Sequence, residues 1–160
     1  MRILLDTNLL LRIVESGHPQ HQASVGAIDA LRKNGHDLVI VPQVLYEFWT
    51  VATRPKDQNG LGMSPPEAHS ELVAMQRLFL LLRDERAIYA IWEALVLSLG
   101  VIGKQAHDAR IAAAMQRHAL THLLTFNTRD FSRYVFLPPV SALDVISGAT
   151  TVPVGPLTAH

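Results

Sequence analysis

Residues 2–14 read RILLDTNLLLRIV and set the fold class of the chain. Arg2–Leu5 is a short apolar run closed by Asp6. A run of this kind, apolar on both faces, is expected of a strand buried in a parallel sheet. Thr7 and Asn8 are residue types that cap helix N-termini, and Leu9–Val14 continues as an apolar helical stretch. The chain thus changes from strand to helix across an aspartate, which is how an α/β unit begins.

The rest of the chain repeats that alternation. Gln20 to Lys33 reads as a helix stopped at Asn34-Gly35. Leu38–Val41 reads as a second buried strand, and Pro42 suits the first turn of the helix behind it. That helix carries Val44, Leu45, Phe48, Trp49, Val51 and Ala52 and ends near Arg54-Pro55. Residues 55–66, with three Pro and two Gly, read as a surface loop. Ser64 opens a capping pattern for a helix over about 66–79. Leu80–Leu82 fits a brief extended segment or a helix end, and the residues do not separate the two. Ile88, Ile91, Trp92, Leu95, Val96 and Leu99 follow helical spacing and predict one inward stripe. Gln105–His118 predicts a further helix, and Leu120–Thr125 a third strand. Asn127-Thr128 reads as a loop start, and 131–146 as one more short strand with a turn at Pro138-Pro139. The expectation is one α/β domain over 1–146 with a mostly parallel sheet, followed by a loose tail at 147–160.

Composition narrows the function. The 160 residues are 49% apolar and 18% charged, which excludes general disorder. Lys+Arg and Asp+Glu are 14 each, so a polyanion would have to be held by a local patch or a metal ion. Cysteine is absent, which excludes disulfides, thiolate nucleophiles and Cys-ligated zinc. No apolar run approaches the ~20 residues that span a bilayer, and MRILLD lacks the apolar stretch of a signal peptide. A soluble, cytoplasmic protein is expected.

Three carboxylates stand where apolar side chains are expected. Asp6 closes a buried strand, at the strand end where α/β proteins place their sites. Glu47 lies between Val44 and Val51 on a helix. Asp108 precedes Ile111, Ala112 and Met115 on another inward face. Each has an ordinary explanation alone: a turn or cap, a stripe margin, a favourable helix dipole. Together they suggest acids that would repel one another unless a hard divalent cation such as Mg²⁺ or Mn²⁺ joined them.

Four segments carry a family resemblance: LLDTNLLLRI at 4–13, PQVLYEFWTVATRP at 42–55, HDARIAAAM at 107–115 and LLTFNTRDF at 123–131. In this order they resemble the PIN-domain ribonucleases, and among these the VapC-type toxins of bacterial toxin–antitoxin pairs. The resemblance covers roughly residues 1–146. It implies a three-layer α/β/α sandwich and a Mg²⁺- or Mn²⁺-dependent endoribonuclease restrained by an antitoxin. It further implies metal-binding roles for Asp6, Glu47 and Asp108, with Thr7, Asn8 and Thr125 beside them. Asp130 matches the acid of the family's D-F pair. Asn127 is a departure, since many relatives carry an acid there; either Asn127 or Asp130 could complete the site.

Arg110, Arg129 and Arg133 are candidate phosphate contacts. His18 with His21 and His118 with His122 lack the setting of a zinc motif, and Trp49 and Trp92 read as core. A homodimer is expected because the apolar helical stripes exceed what a small sheet needs. The readings held against this one are a catalytically weak RNA- or protein-binding module, motivated by Asn127, and a DNA-directed metal nuclease.

Overall fold

A computed structural model describes residues 1–149. Among these, five strands form one sheet: β1 (Arg2–Leu5), β2 (Asp37–Ile40), β3 (Leu80–Leu81), β4 (His122–Thr125) and β5 (Pro139–Ser141). Their spatial order is β3-β2-β1-β4-β5, and every neighbouring pair is parallel. β1 is central, with Leu4 in register with Val39 of β2 and Leu123 of β4. Ile3, Leu4, Leu5, Val39, Ile40, Leu123 and Leu124 are fully buried, as expected of strands covered on both faces.

The helices among the described residues are α1 (Thr7–Val14), α2 (His21–Lys33), α3 (Pro42–Thr53), α4 (Pro65–Leu78), α5 (Ala87–Ser98), α6 (Gln105–Arg117), α7 (Thr128–Phe131) and α8 (Ala142–Ser147). Parallel strands require crossovers of one hand, so reversing the direction of travel across the sheet changes the covered face. The chain moves from β1 to β2 to β3, then returns past β1 to β4 and β5. The packing divides accordingly. α1 lies against α2 and α3, α3 against α4, and α2 against α8, while α5 packs on α6 and α6 on α7. The result is the expected α/β/α sandwich. The reversal opens a crevice between the C-terminal ends of β1 and β4, where ligands of open parallel sheets bind.

The ambiguity at Leu80–Leu82 resolves as a two-residue edge strand, with Leu80 opposite Val39 and Leu81 opposite Ile40. Ser64 and Glu67 form the expected capping box at the start of α4. The C-terminal region differs from expectation. Thr128–Phe131 is a single helical turn rather than a loop start, and 142–147 is a helix. Ser141 caps it by accepting from the Leu143 amide at 3.2 Å. α8 lies so close to α2 that a side chain at Gly26 would meet Ile146 at 3.2 Å. Elements this short present no periodicity to read. Ser147 therefore closes α8 rather than opening a tail, and from residue 150 the expected tail lies outside the described residues.

α5 also corrects the reading. Only Ile88 of its stripe is fully buried; Ile91, Trp92, Leu95 and Val96 are half-buried, and Leu99 is exposed. Tyr89, Leu97 and Ile102 are exposed beside them. No described helix is long and apolar enough to cross a membrane.

Candidate active site

Asp6 ends β1 and caps α1, and its position follows from the sheet. Its amide donates to the Leu124 carbonyl at 3.0 Å, which extends the β1–β4 ladder by one residue. Its Oδ1 accepts from the Thr7 amide at 2.8 Å. Its Oδ2 accepts from the Thr125 hydroxyl at 2.7 Å and from Asn8 Nδ2 at 3.1 Å. Burial pushes the Asp6 carboxyl up to about 6; the Thr125 and Thr7 hydrogen bonds oppose the rise, and the charges of Glu47 and Asp130 add to it.

Glu47 faces the same space from α3. Thr7 Oγ1 donates to its Oε2 at 2.6 Å, and Gln43 Nε2 donates to its Oε1 at 2.8 Å. Gln43 stands one turn before Glu47, so the two share a helix face. An ionised carboxylate offers about four lone-pair sites. Three contacts are made to Asp6 and two to Glu47. Both acids are therefore oriented by the protein while keeping acceptor capacity for a ligand.

Asp108 enters from the first turn of α6 and is half-buried. Its carboxyl is raised to about 6, first by burial and then by the charges of Asp130, Asp6 and Glu47, with His107 opposing. The charges of Glu47 and Asp130 act on Asp6, and those of Asp130, Asp6 and Glu47 act on Asp108, so acids from the start of α1 and from α3, α6 and α7 face a common space. Asp130 is exposed, and Asn127 Nδ2 donates to its Oδ2. The Asn127 amide in turn donates to Thr125 Oγ1 at 2.9 Å, and Asn8 Oδ1 accepts from the Phe126 amide at 3.3 Å. Thr7, Asn8, Thr125 and Asn127 thus form one hydrogen-bonded frame around the acids. Asn127 and Asp130, treated in the sequence as alternatives, are bonded to each other.

The arginines separate. Arg129 and Arg133 line a cleft of about 670 Å³ together with Lys104, His107, Asp108 and Asp130. Arg110 lines none of it. Its guanidinium donates to Gln43 Oε1 at 3.2 Å and pairs with Asp84 at 3.0 Å. These two bonds engage both of its terminal nitrogens. Gln43, only 6% exposed, escaped the sequence reading. The available signal was an amide one turn before an inward acid, in an otherwise apolar stripe. His18 Nδ1 accepts from the Gln20 amide and His21 Nδ1 bonds the Arg12 carbonyl, so both rings serve the turn between α1 and α2.

The donor set fits a hard divalent cation. It consists of carboxylates whose charges oppose one another, and among the described residues no Arg or Lys forms an ion pair with Asp6, Glu47, Asp108 or Asp130. Among the described residues no three His, Asp or Glu side chains stand close enough to hold an ion directly as they are. Acids that share a space without closing on a point suit a cation that retains several of its own waters, as Mg²⁺ does.

Known structures share the fold. A VapBC2 complex from Rickettsia felis bound to a promoter DNA fragment is 19% identical with a TM-score of 0.67, covering 88% of this chain and 98% of that one. A toxin–antitoxin complex from Klebsiella pneumoniae is 23% identical with a TM-score of 0.57, covering 88% and 97%. The sarcin-ricin-loop-cleaving toxin VapC20 from Mycobacterium tuberculosis is 19% identical with a TM-score of 0.53, covering 76% and 86%. No curated protein sequence matches the chain. The profile of the PIN domain matches residues 3–137. Because that match runs from β1 to the approach of β5 and takes in each acid of the crevice, the chain belongs to the PIN domain family.

Proposed function

We propose that this protein is a Mg²⁺- or Mn²⁺-dependent endoribonuclease and the toxin of a toxin–antitoxin pair. One observation carries the reading: Asp6 and Asp108, distant in the sequence, stand at the β1–β4 crevice with both carboxyls raised, first by burial and then by the charges of Glu47 and Asp130, with Asp6 also acting on Asp108. Family membership supports hydrolysis of a phosphodiester in general.

Asp6, Glu47 and Asp108 would hold the cation. When bound, it lowers the pKa of a water and neutralises charge developing on the phosphate. Thr7 and Gln43 orient the Glu47 carboxylate, while Thr125 and Asn8 orient that of Asp6. Asp130, braced by Asn127, adds a negative charge at the cleft wall. Lys104, Arg129 and Arg133 bind substrate phosphates along the cleft, which reconciles an RNA substrate with zero net charge. Water adds to phosphorus, and the P–O bond opposite it breaks.

The partners follow from the same surfaces. An antitoxin segment bearing an Arg across the cleft would pair with the acids and compete with cation and RNA. The exposed Tyr89, Leu97, Leu99 and Ile102 around α5 support a homodimer. We place the protein in the cytoplasm, with its RNA.

The test is cleavage of RNA and of single-stranded DNA with Mn²⁺, with Mg²⁺ and with EDTA. RNA cut only with metal is the expected result. DNA cut in its place would establish a DNA nuclease, and RNA bound but uncut under both metals would establish a binding module. Light scattering after size exclusion is expected to give a dimer; monomer alone at micromolar concentration would remove that part.

A further inference from the structure

Gln43 makes three bonds from a buried position, and their chemistry fixes its amide. Arg110 can only donate, so the Gln43 carbonyl oxygen faces the guanidinium at 3.2 Å. The amide nitrogen must then face the other way, where its two hydrogens go to Glu47 Oε1 and to the His107 carbonyl, each at 2.8 Å. Glu47 is one of the acids, and His107 is the residue before another. A single side chain of α3 therefore holds the Glu47 carboxylate and the backbone that presents Asp108. Asp84 completes the chain by pairing with the far side of Arg110 at 3.0 Å.

We propose that Gln43 is a positioning residue for the divalent cation, oriented by the Arg110–Asp84 pair, and that it sets Glu47 and Asp108 at their working separation. The proposal rests on the metal-dependent reading above. Arg110 acts on the site from behind, through an amide, and makes no contact with RNA. Groups that orient metal-binding side chains commonly alter metal affinity by ~10–100-fold when removed. In a buried site the orientation of an acid is as consequential as its charge.

The experiment is Mn²⁺ binding by isothermal titration calorimetry, with RNA kinetics alongside, on the parent, Gln43→Met, Arg110→Met and the double variant. Methionine keeps the volume of both side chains and removes their hydrogen bonds. Gln43→Met is expected to weaken Mn²⁺ about tenfold or more and to lower kcat with little change in KM for RNA. Arg110→Met is expected to weaken Mn²⁺ in the same sense, and the double variant no further than Gln43→Met, because the two act in series. Parental Mn²⁺ affinity in a folded Gln43→Met protein would overturn the proposal. A raised KM for RNA at unchanged Mn²⁺ affinity in Arg110→Met would return Arg110 to the substrate and overturn its assigned part. Arg110 is partly exposed, so its variant decides the matter if Gln43→Met does not fold. A parent that binds no Mn²⁺ would overturn the metal reading and this proposal with it, whereas parental affinity in the variants overturns the positioning alone.

Discussion

Asp6 and Glu47 are tied into the fold, whereas Asp108 and Asp130 face the cleft. On the first wall, hydrogen bonds from Thr7, Asn8, Thr125 and Gln43 fix both carboxylates. On the second, Asp108 is half-buried and Asp130 is exposed, held by Asn127. The tied wall is made of β1 and the helices nearest it, elements that cannot move without opening the core. The open wall lies at the start of α6 and in the short α7, beside Lys104, Arg129 and Arg133. On the metal-dependent reading proposed above, a site built this way would keep the cation's seat preorganised and leave adjustment to the side where the substrate strand would enter.

Removing the anchor of the tied wall should have the largest effect. Asp6→Asn is expected to lower RNA cleavage on the order of 10³-fold, ~4 kcal/mol of barrier, because it removes a charge and disrupts the donors converging there. Single-turnover rates at saturating Mn²⁺ measure this, and a loss below about tenfold would put Asp6 outside the chemistry. Next comes Thr7→Val, which keeps shape and deletes the 2.6 Å bond to Glu47. It should weaken Mn²⁺ by roughly ten- to a hundredfold in a titration, a cost the open wall cannot offset.

On the open wall the expected losses are smaller. Asp130→Asn should cost about tenfold in rate, ~1.4 kcal/mol, while Asn127→Asp is tolerated and tightens Mn²⁺. Full activity in a folded Asp130→Asn protein would make that acid structural and leave the site with three.

The smallest effect is on stability against pH. Asp6 and Asp108 have an ordinary value of 3.8 and titrate near 6 in the folded chain. The folded state therefore binds their protons more tightly than the unfolded state. The cation-free protein accordingly loses stability as pH rises through that window. Asp108→Asn removes its share of the loss. In EDTA its melting temperature should exceed the parent's by a few degrees above about pH 6 and converge with it below about pH 4. A parent more stable than this variant at neutral pH would show that the Asp108 carboxylate is not held against burial and repulsion.

Much of this was legible along the chain. Apolar runs closed by Asp6 and by Pro42 place β1, β2 and the helices behind them, because a strand buried on both faces needs an unbroken apolar run. The three acids stood out by interrupting inward stripes. Gln43 carried only the weak signal of an amide one turn before an inward acid, and an uncharged amide in a helix gains meaning only once its partners are known. The partners of Arg110 were not legible for the related reason that an arginine's partner is set by what lies across from it, here Asp84 from a distant loop.

Local pattern therefore determined the α/β class and the order of the elements through α6 apart from β3, and it singled out Asp6, Glu47 and Asp108, since these depend on hydrophobic period and on charge placed where apolar residues belong. Tertiary structure alone decided what shares a space. The reversal from β3 back across β1 to β4 brings Thr125 against Asp6, 119 positions apart. It also decided that Asn127 braces Asp130, that Arg110 turns away from the cleft, and that α5 keeps half its apolar face in solvent. These are long-range pairings, and side-chain chemistry fixes a partner only after the chain crossing has placed one within hydrogen-bond reach.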